Sequence, residues 1–304
     1  MIYTVTLNPS IDYILHVDTF YEGDLNRANE AAYYPGGKGI NVSRVLSRLD
    51  IPNTALGFLG GFTGQFILDA LEKETVQHQF IDTQQTTRIN VKLKSSSESE
   101  INGPGPDISK EKQANLLQQV GQLNKDDYLV VAGSIPKAIP VTLYQEMAAR
   151  CEQNEAHFVA DTSGKALEAL IGTKTFLLKP NHHELGQLFE TEISSKEEAA
   201  YFARKLVKKG AKNVIVSMGG EGAILVTEDK AYVANVPKGT VKNSVGAGDS
   251  VVSGFLAGLV KTNDIKEAFA YGVAAGSATA FSDDLATEAF VEELRQQVNV
   301  ETVN

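Results

Sequence analysis

The sequence predicts an α/β protein with a mostly parallel central sheet, helices on both faces, and a small second sheet attached. Three observations carry this. Short apolar, β-rich runs alternate with helical patterns along most of the 304 residues, as in parallel strands joined by crossover helices. Those runs are near-continuous in apolar character, which is what strands buried on both faces require. Two segments, about 11–34 and 87–101, break the rhythm.

Taken in chain order, IYTVTL (2–7), TALGFL (54–59), YLVVAG (128–133), HFVAD (157–161), TFLLK (175–179) and NVIVS (213–217) are the strands. Helical patterns at 38–49, 63–73, 110–123, 140–153 and 195–210 separate them, the fourth with Pro140 at its start. EGAILVTEDKAYVANVP adds two strands around a turn at Glu228 and Asp229, and mostly helix follows from Gly246. The run 87–101 alternates, with Ile89, Val91 and Leu93 on one side, so it has one wet face. Together with 11–34 it predicts a small separate sheet, a lid that covers a site, pairs with another subunit, or is a pair of surface hairpins. SSSESE (95–100) reads as a turn tip. The whole chain, 1–304, is read as one domain.

Composition is that of an ordinary globular chain, 42% hydrophobic and 22% charged. The formal charge of −10 repels nucleic acid and anionic membranes, so an anionic ligand needs a local basic cluster. One cysteine, Cys151, excludes an internal disulfide and fits a reducing compartment. No basic segment followed by an apolar run opens the chain, and VVSGFLAGLV (251–260) is too short to span a bilayer. The expectation is a cytoplasmic protein without nucleic-acid or membrane partners.

Chemistry concentrates at two glycine clusters. In NSVGAGDS (243–250), a helix beginning near Gly246 offers bare backbone N–H groups and a positive dipole end to an anion. Asp249 then stands beside that anion, where it either complements the dipole or accepts a proton from an attacking hydroxyl. The small residues from Gly246 to Gly258 also suit close helix packing. PGGKGINVSR (35–44) places Gly36, Gly37 and Gly39 around Lys38 with Asn41 one turn on. Gly39 stands where a Walker loop needs Ser or Thr, which leaves a polyhydroxylated or phosphorylated ligand or a plain glycine turn. Asp12 follows the first strand, and Arg88 and Arg27 are forks for a phosphate or solvated surface groups. KPNHHE (179–184) ends a strand and begins a helix, so Lys179, Asn181 and Glu184 can face one site. SMGGEG (217–222) does not complete a dinucleotide fingerprint because position 225 is Leu.

In this order, GGKGINVSR, KPNHHE, SMGGEG and NSVGAGDS resemble the PfkB family of ribokinase-like sugar kinases, over essentially the whole chain. The resemblance implies a three-layer sandwich with a β-sheet lid and transfer of the ATP γ-phosphoryl group to a ketohexose phosphate. Within the family, TLNPSIDY, TRINVK and AGSIP look most like the members that act on fructose 1-phosphate, which the resemblance implies as acceptor, with tagatose 6-phosphate and fructose 6-phosphate as alternatives. A sugar-phosphate sensor without turnover is the non-enzymatic alternative, and it would have lost the acid or the basic cluster. By position, the resemblance makes Asp249 the base and Gly246, Ala247 and Gly248 the anion hole. It puts Asp12, Gly37, Lys38, Asn41 and Asn90 on the sugar side. Arg88, with Arg27 and Lys38, receives the phosphate already present. Lys179, Asn181 and Glu184 handle ATP phosphates and Mg2+, Glu184 through water. Ser217, Gly219, Gly220 and Gly222 line the nucleotide, and Ser277 borders adenine. A homodimer through the lid is implied. Asn243, Ser244 and Val245 replace the Asp and Thr that precede the loop in many relatives, so a potassium requirement does not follow.

Overall fold

The computed structural model describes residues 1–303. The chain runs β1 (Ile2–Thr6), β2 (Ser10–His16), β3 (Glu30–Gly36), α1 (Lys38–Arg48), β4 (Asn53–Leu59), α2 (Gly61–Lys73), β5 (Gln77–Asp82), β6 (Arg88–Lys94) and β7 (Glu98–Asn102). It continues α3 (Lys110–Val120), β8 (Tyr128–Ala132), α4 (Thr142–Gln153), β9 (His157–Asp161), α5 (Gly164–Ala169), β10 (Thr175–Leu178), α6 (His182–Leu188), α7 (Lys196–Lys208) and β11 (Ala211–Ser217). The last part is β12 (Ala223–Thr227), β13 (Ala231–Ala234), α8 (Ala247–Thr262), α9 (Ile265–Ala280), α10 (Glu288–Arg295) and β14 (Val300–Val303).

Among the described residues, ten strands form the main sheet in the order β14-β13-β12-β11-β10-β9-β8-β1-β4-β5, parallel from β11 to β5 and antiparallel beyond β11. The near-continuous apolar runs have the predicted cause. β8 sends Leu129 and Val131 to one core and Val130 and Ala132 to the other, so both faces are dry. Helices α1, α8, α9 and α10 cover the second face, and α3, α4 and α7 the first. Cys151 lies fully buried on α4, where burial pushes its thiol up to about 12, so it is inert packing. The pairing of α8 with α9 explains part of the small-residue stripe: a Cβ at Gly254 would lie 2.6 Å from Ala275 Cβ. No helix among the described residues is long and apolar enough to cross a membrane.

The two insertions form a second sheet of order β3-β2-β6-β7. The polar face of this sheet is the one turned toward a cavity. Register pairs Ser10 with Arg88, Asp12 with Asn90 and Ile14 with Lys92, and this mostly polar side turns inward, with Asn90 and Lys92 buried. The apolar side carries Ile89 and, on neighbouring strands, Tyr33 and Ile101, all exposed. SSSESE is a turn only to Ser97; Glu98 already begins β7.

Candidate active site

Parallel strands end on one edge of the sheet, where ligands of open α/β folds gather, and the lid's polar face closes over that edge. Between them lies a cavity of about 650 Å³. The helix α8 meets it end-on. Its N-cap, Gly246, is left-handed at φ 79°, and a Cβ there would lie 2.6 Å from Leu285 Cδ2. The N–H groups of Gly248 and Asp249 donate to no atom among the described residues, so the helix end offers two bare donors. Ala247 corrects the predicted trio: its N–H goes to Ser244 O at 3.3 Å, and it lines a neighbouring pocket instead of the cavity.

Asp249 is buried, and its Oδ2 accepts a 2.8 Å hydrogen bond from Asn41 Nδ2 on the first turn of α1. Burial, reinforced by the charge of Asp161, raises its carboxyl to about 6, while Lys38, Asn41 and Lys179 oppose the shift. Asp161 was missed from sequence. It ends β9, fully buried, with Oδ1 3.2 Å from Lys38 Nζ and Oδ2 3.3 Å from Lys179 Nζ. Burial pushes its carboxyl up, but Lys179 and Lys38 together hold it below its ordinary value, and Asp161 in turn raises Lys38. Two carboxylates in one site are thus pushed apart, which is the pattern of divided acid–base roles. The signal available was an acid at the carboxyl end of a buried strand.

Lys179 Nζ sits 3.3 Å from where a Cβ at Gly248 would be, over the bare helix end. Asn181 and Glu184 form a capping box on α6: Asn181 Oδ1 accepts from Glu184 N and Glu184 Oε2 from Asn181 N, each at 2.8 Å. Glu184 Oε1 makes no hydrogen bond among the described residues and is available on the cavity wall. Among the described residues no group of three or more acidic, His or Cys side chains is placed to hold a metal ion by itself. This donor set fits Mg2+, which keeps waters and is held by few carboxylates plus substrate phosphates.

On the lid, Asp12 Oδ1 accepts from Ser10 Oγ at 2.8 Å and Asn90 Nδ2 at 3.0 Å. Arg88 donates through Nε and Nη2 to Asn8 O at 3.2 and 3.0 Å, which fixes its guanidinium at the cavity mouth. Gly37 and Lys38 line the same space. Arg27 does not: it is exposed in the β2–β3 connection and outside the cavity lining. On the far side of α8, Gly220, Gly222 and Ser277 join Val241, Val251 and Phe281 around an apolar pocket of about 270 Å³, a shelf suited to a flat base. Ser217 and Gly219 line both spaces. Lys92, also unforeseen, lies buried on the lid's inner face.

A bare helix terminus, two lysines gathered by one acid and a second acid of raised pKa are the parts of a phosphoryl-transfer site. Residues 5–288 match the model of the pfkB family carbohydrate kinases, and the chain belongs to that family. Its fold is ribokinase-like. Over 300 residues, 99% of each chain, it is 54% identical to 1-phosphofructokinase of Bacillus subtilis. It is 32% identical to D-tagatose-1-phosphate kinase of Bacillus licheniformis, over 99% of both chains. A putative phosphofructokinase from Staphylococcus aureus, of known crystal structure, superposes with a TM-score of 0.90 at 44% identity, covering 100% of this chain and 99% of the other.

Proposed function

We propose that this chain transfers the γ-phosphoryl group of ATP to the 6-hydroxyl of fructose 1-phosphate, giving fructose 1,6-bisphosphate and ADP. The observation that carries the chemistry is Asp249: one buried carboxylate of raised pKa, held by Asn41, within the first turn of a helix whose free N–H groups suit the transferring phosphoryl group. The likeness to the Bacillus subtilis enzyme supports the acceptor.

In this reading Asp249 takes the proton of the attacking hydroxyl. The Gly248 and Asp249 N–H groups and Lys179 neutralise charge that develops on the equatorial oxygens. Arg88 receives the phosphate already on the sugar, Asp12 and Asn90 its hydroxyls, and Lys38, held by Asp161, lies between the two ends. The apolar pocket beside Ser277 takes the adenine. Glu184 would hold Mg2+ through water, and the ion would supply charge neutralisation for the ATP phosphates. Lid and main sheet act as one domain, and lid closure excludes water so that ATP is not hydrolysed. The exposed apolar face of the lid, with Tyr33, Ile89 and Ile101, supports a homodimer formed through it. The acid balance and single buried cysteine support a cytoplasmic location.

A second acceptor is favoured by one observation. The relative acting on D-tagatose 1-phosphate suggests an alternative that keeps its phosphate on C1 and differs from fructose in configuration at C4. The test is ATP turnover with magnesium on fructose 1-phosphate, D-tagatose 1-phosphate, fructose 6-phosphate and tagatose 6-phosphate. A kcat/KM preference of about 100-fold for fructose 1-phosphate, roughly 2.7 kcal/mol of transition-state discrimination, supports the proposal. Preference for another acceptor replaces the substrate and keeps the chemistry.

A further inference from the structure

Lys92 has a role that its pairing does not explain. Its side chain is 8% exposed, yet Nζ lies 3.5 Å from Asp12 Oδ2 and 3.7 Å from Glu100 Oε1, beyond the 2.7–2.9 Å or so of a charge-assisted hydrogen bond. Nζ donates to no atom among the described residues. An ammonium has three donors, and Nζ, which keeps accessible surface although its side chain is buried, spends none of them in a hydrogen bond to the protein. The side chain faces the cavity, so a ligand in the cavity is what can accept from it.

Position narrows the ligand. Arg88, Asn90 and Lys92 follow at two-residue steps on the inner face of β6, about 7 Å apart each. Arg88 is tied to Asn8 at one end of this row. At the other, Lys92 shares a narrow cleft with Asn41 and Val245, and Asn41 is bonded to Asp249. A sugar phosphate laid along the row has its phosphate at Arg88, its attacking hydroxyl at Asp249 and its ring hydroxyls beside Asp12 and Lys92.

We propose that Lys92 is a further acceptor-binding residue that donates to a ring hydroxyl of the sugar phosphate, the 3- or the 4-hydroxyl; this rests on the kinase reading above. The alternative, that Lys92 only neutralises Asp12, is separable because its effect would not depend on which hydroxyls the sugar carries.

The experiment compares wild type and Lys92→Met on fructose 1-phosphate and on its 3-deoxy and 4-deoxy analogues. Loss of a hydrogen bond from a charged donor predicts a fall of about 10- to 100-fold in kcat/KM on fructose 1-phosphate, with KM for ATP unchanged. On the analogue that lacks the hydroxyl Lys92 meets, the penalty shrinks to within about threefold. A variant within threefold of wild type on fructose 1-phosphate overturns the proposal, as does a penalty of equal size on both analogues. Lys92→Gln, read the same way, replaces the first variant if Lys92→Met fails to give a wild-type melting transition. The same comparison is made in Kd by calorimetry without ATP. A wild type that binds the sugar phosphate but does not turn it over overturns the kinase reading, while Lys92 is still judged by the Kd differences.

Discussion

Replacing Asp249 with Asn separates catalysis from stability in opposite directions. The folded carboxyl titrates near 6 against 3.8 for the unperturbed group, so between about pH 4 and 6 the native state binds more protons than the unfolded state. Stability contributed by the protonated form is complete below the unfolded value and is lost as pH rises through 6. At pH 7.5 the ionised Asp249 therefore burdens the fold by up to about 3 kcal/mol, two pK units at about 1.4 kcal/mol each. Asparagine keeps the oxygen that Asn41 bonds and removes the charge. The expected result is a melting temperature higher by roughly 5 °C at pH 7.5, a gain that disappears as pH approaches 4. Turnover of ATP and fructose 1-phosphate is expected to fall by about 10²- to 10⁴-fold, the range for loss of a positioned base, with sugar and nucleotide still bound. Steady-state ADP release and thermal unfolding at both pH values read the two effects. A variant with turnover within tenfold of wild type would falsify the assignment of the base, and one that melts lower at pH 7.5 would refute the electrostatic argument.

Other outcomes follow from the same geometry. Asp161→Asn frees Lys38 and Lys179 and removes the charge that, beside burial, raises Asp249, so kcat should fall and its acid limb move to lower pH; an unmoved limb in kcat against pH would show that the two carboxylates do not communicate. Gly246→Ala puts a side chain at φ 79° and against Leu285, which costs about 1–2 kcal/mol in backbone strain alone; denaturant titration and kinetics should register lower stability together with a lower kcat. Ile101→Asp on the exposed face of the lid should convert a dimer to monomers in light scattering, and an unchanged mass would point to another interface. Removal of divalent ions with EDTA should abolish turnover, with Mg2+ restoring it.

The central sheet was legible because its strands are dry on both sides and read as apolar runs. β5 and β14 were not, since QHQFID and VETV are edge strands with mixed polarity, and nothing in such segments distinguishes pairing from a loop. The lid was legible as a separate sheet from the alternation of TRINVKLK, but alternation cannot say which face turns inward. Here the polar one does, so Lys92 and Asn90 lie buried on the inner face along the cavity; TRINVK contains both, but only Asn90 had a role assigned to it from the sequence. Asp161 carried no motif either; its importance arises from two lysines that come from distant parts of the chain. Lys38, Asn41, Lys179, Asn181, Glu184 and Asp249 were legible as clusters, and the fold brings them to one cavity. Arg27 looked equivalent to Arg88 in sequence; in the fold Arg88 opens β6 on the cavity wall, whereas Arg27 lies in the exposed β2–β3 connection.

The hydrogen bond between Asn41 and Asp249 joins residues 208 positions apart. Sugar-side groups emerge early in synthesis, whereas the acid and the bare helix end lie in the last fifth of the sequence. At about 5–20 residues per second, ~10–40 s separate the two on a ribosome. By the end of that interval a nascent chain carries the lid and most of the sheet but still lacks the acid that would let it spend ATP. The order of the elements along the chain thus delays the hazardous half of the site until the rest is there to enclose it.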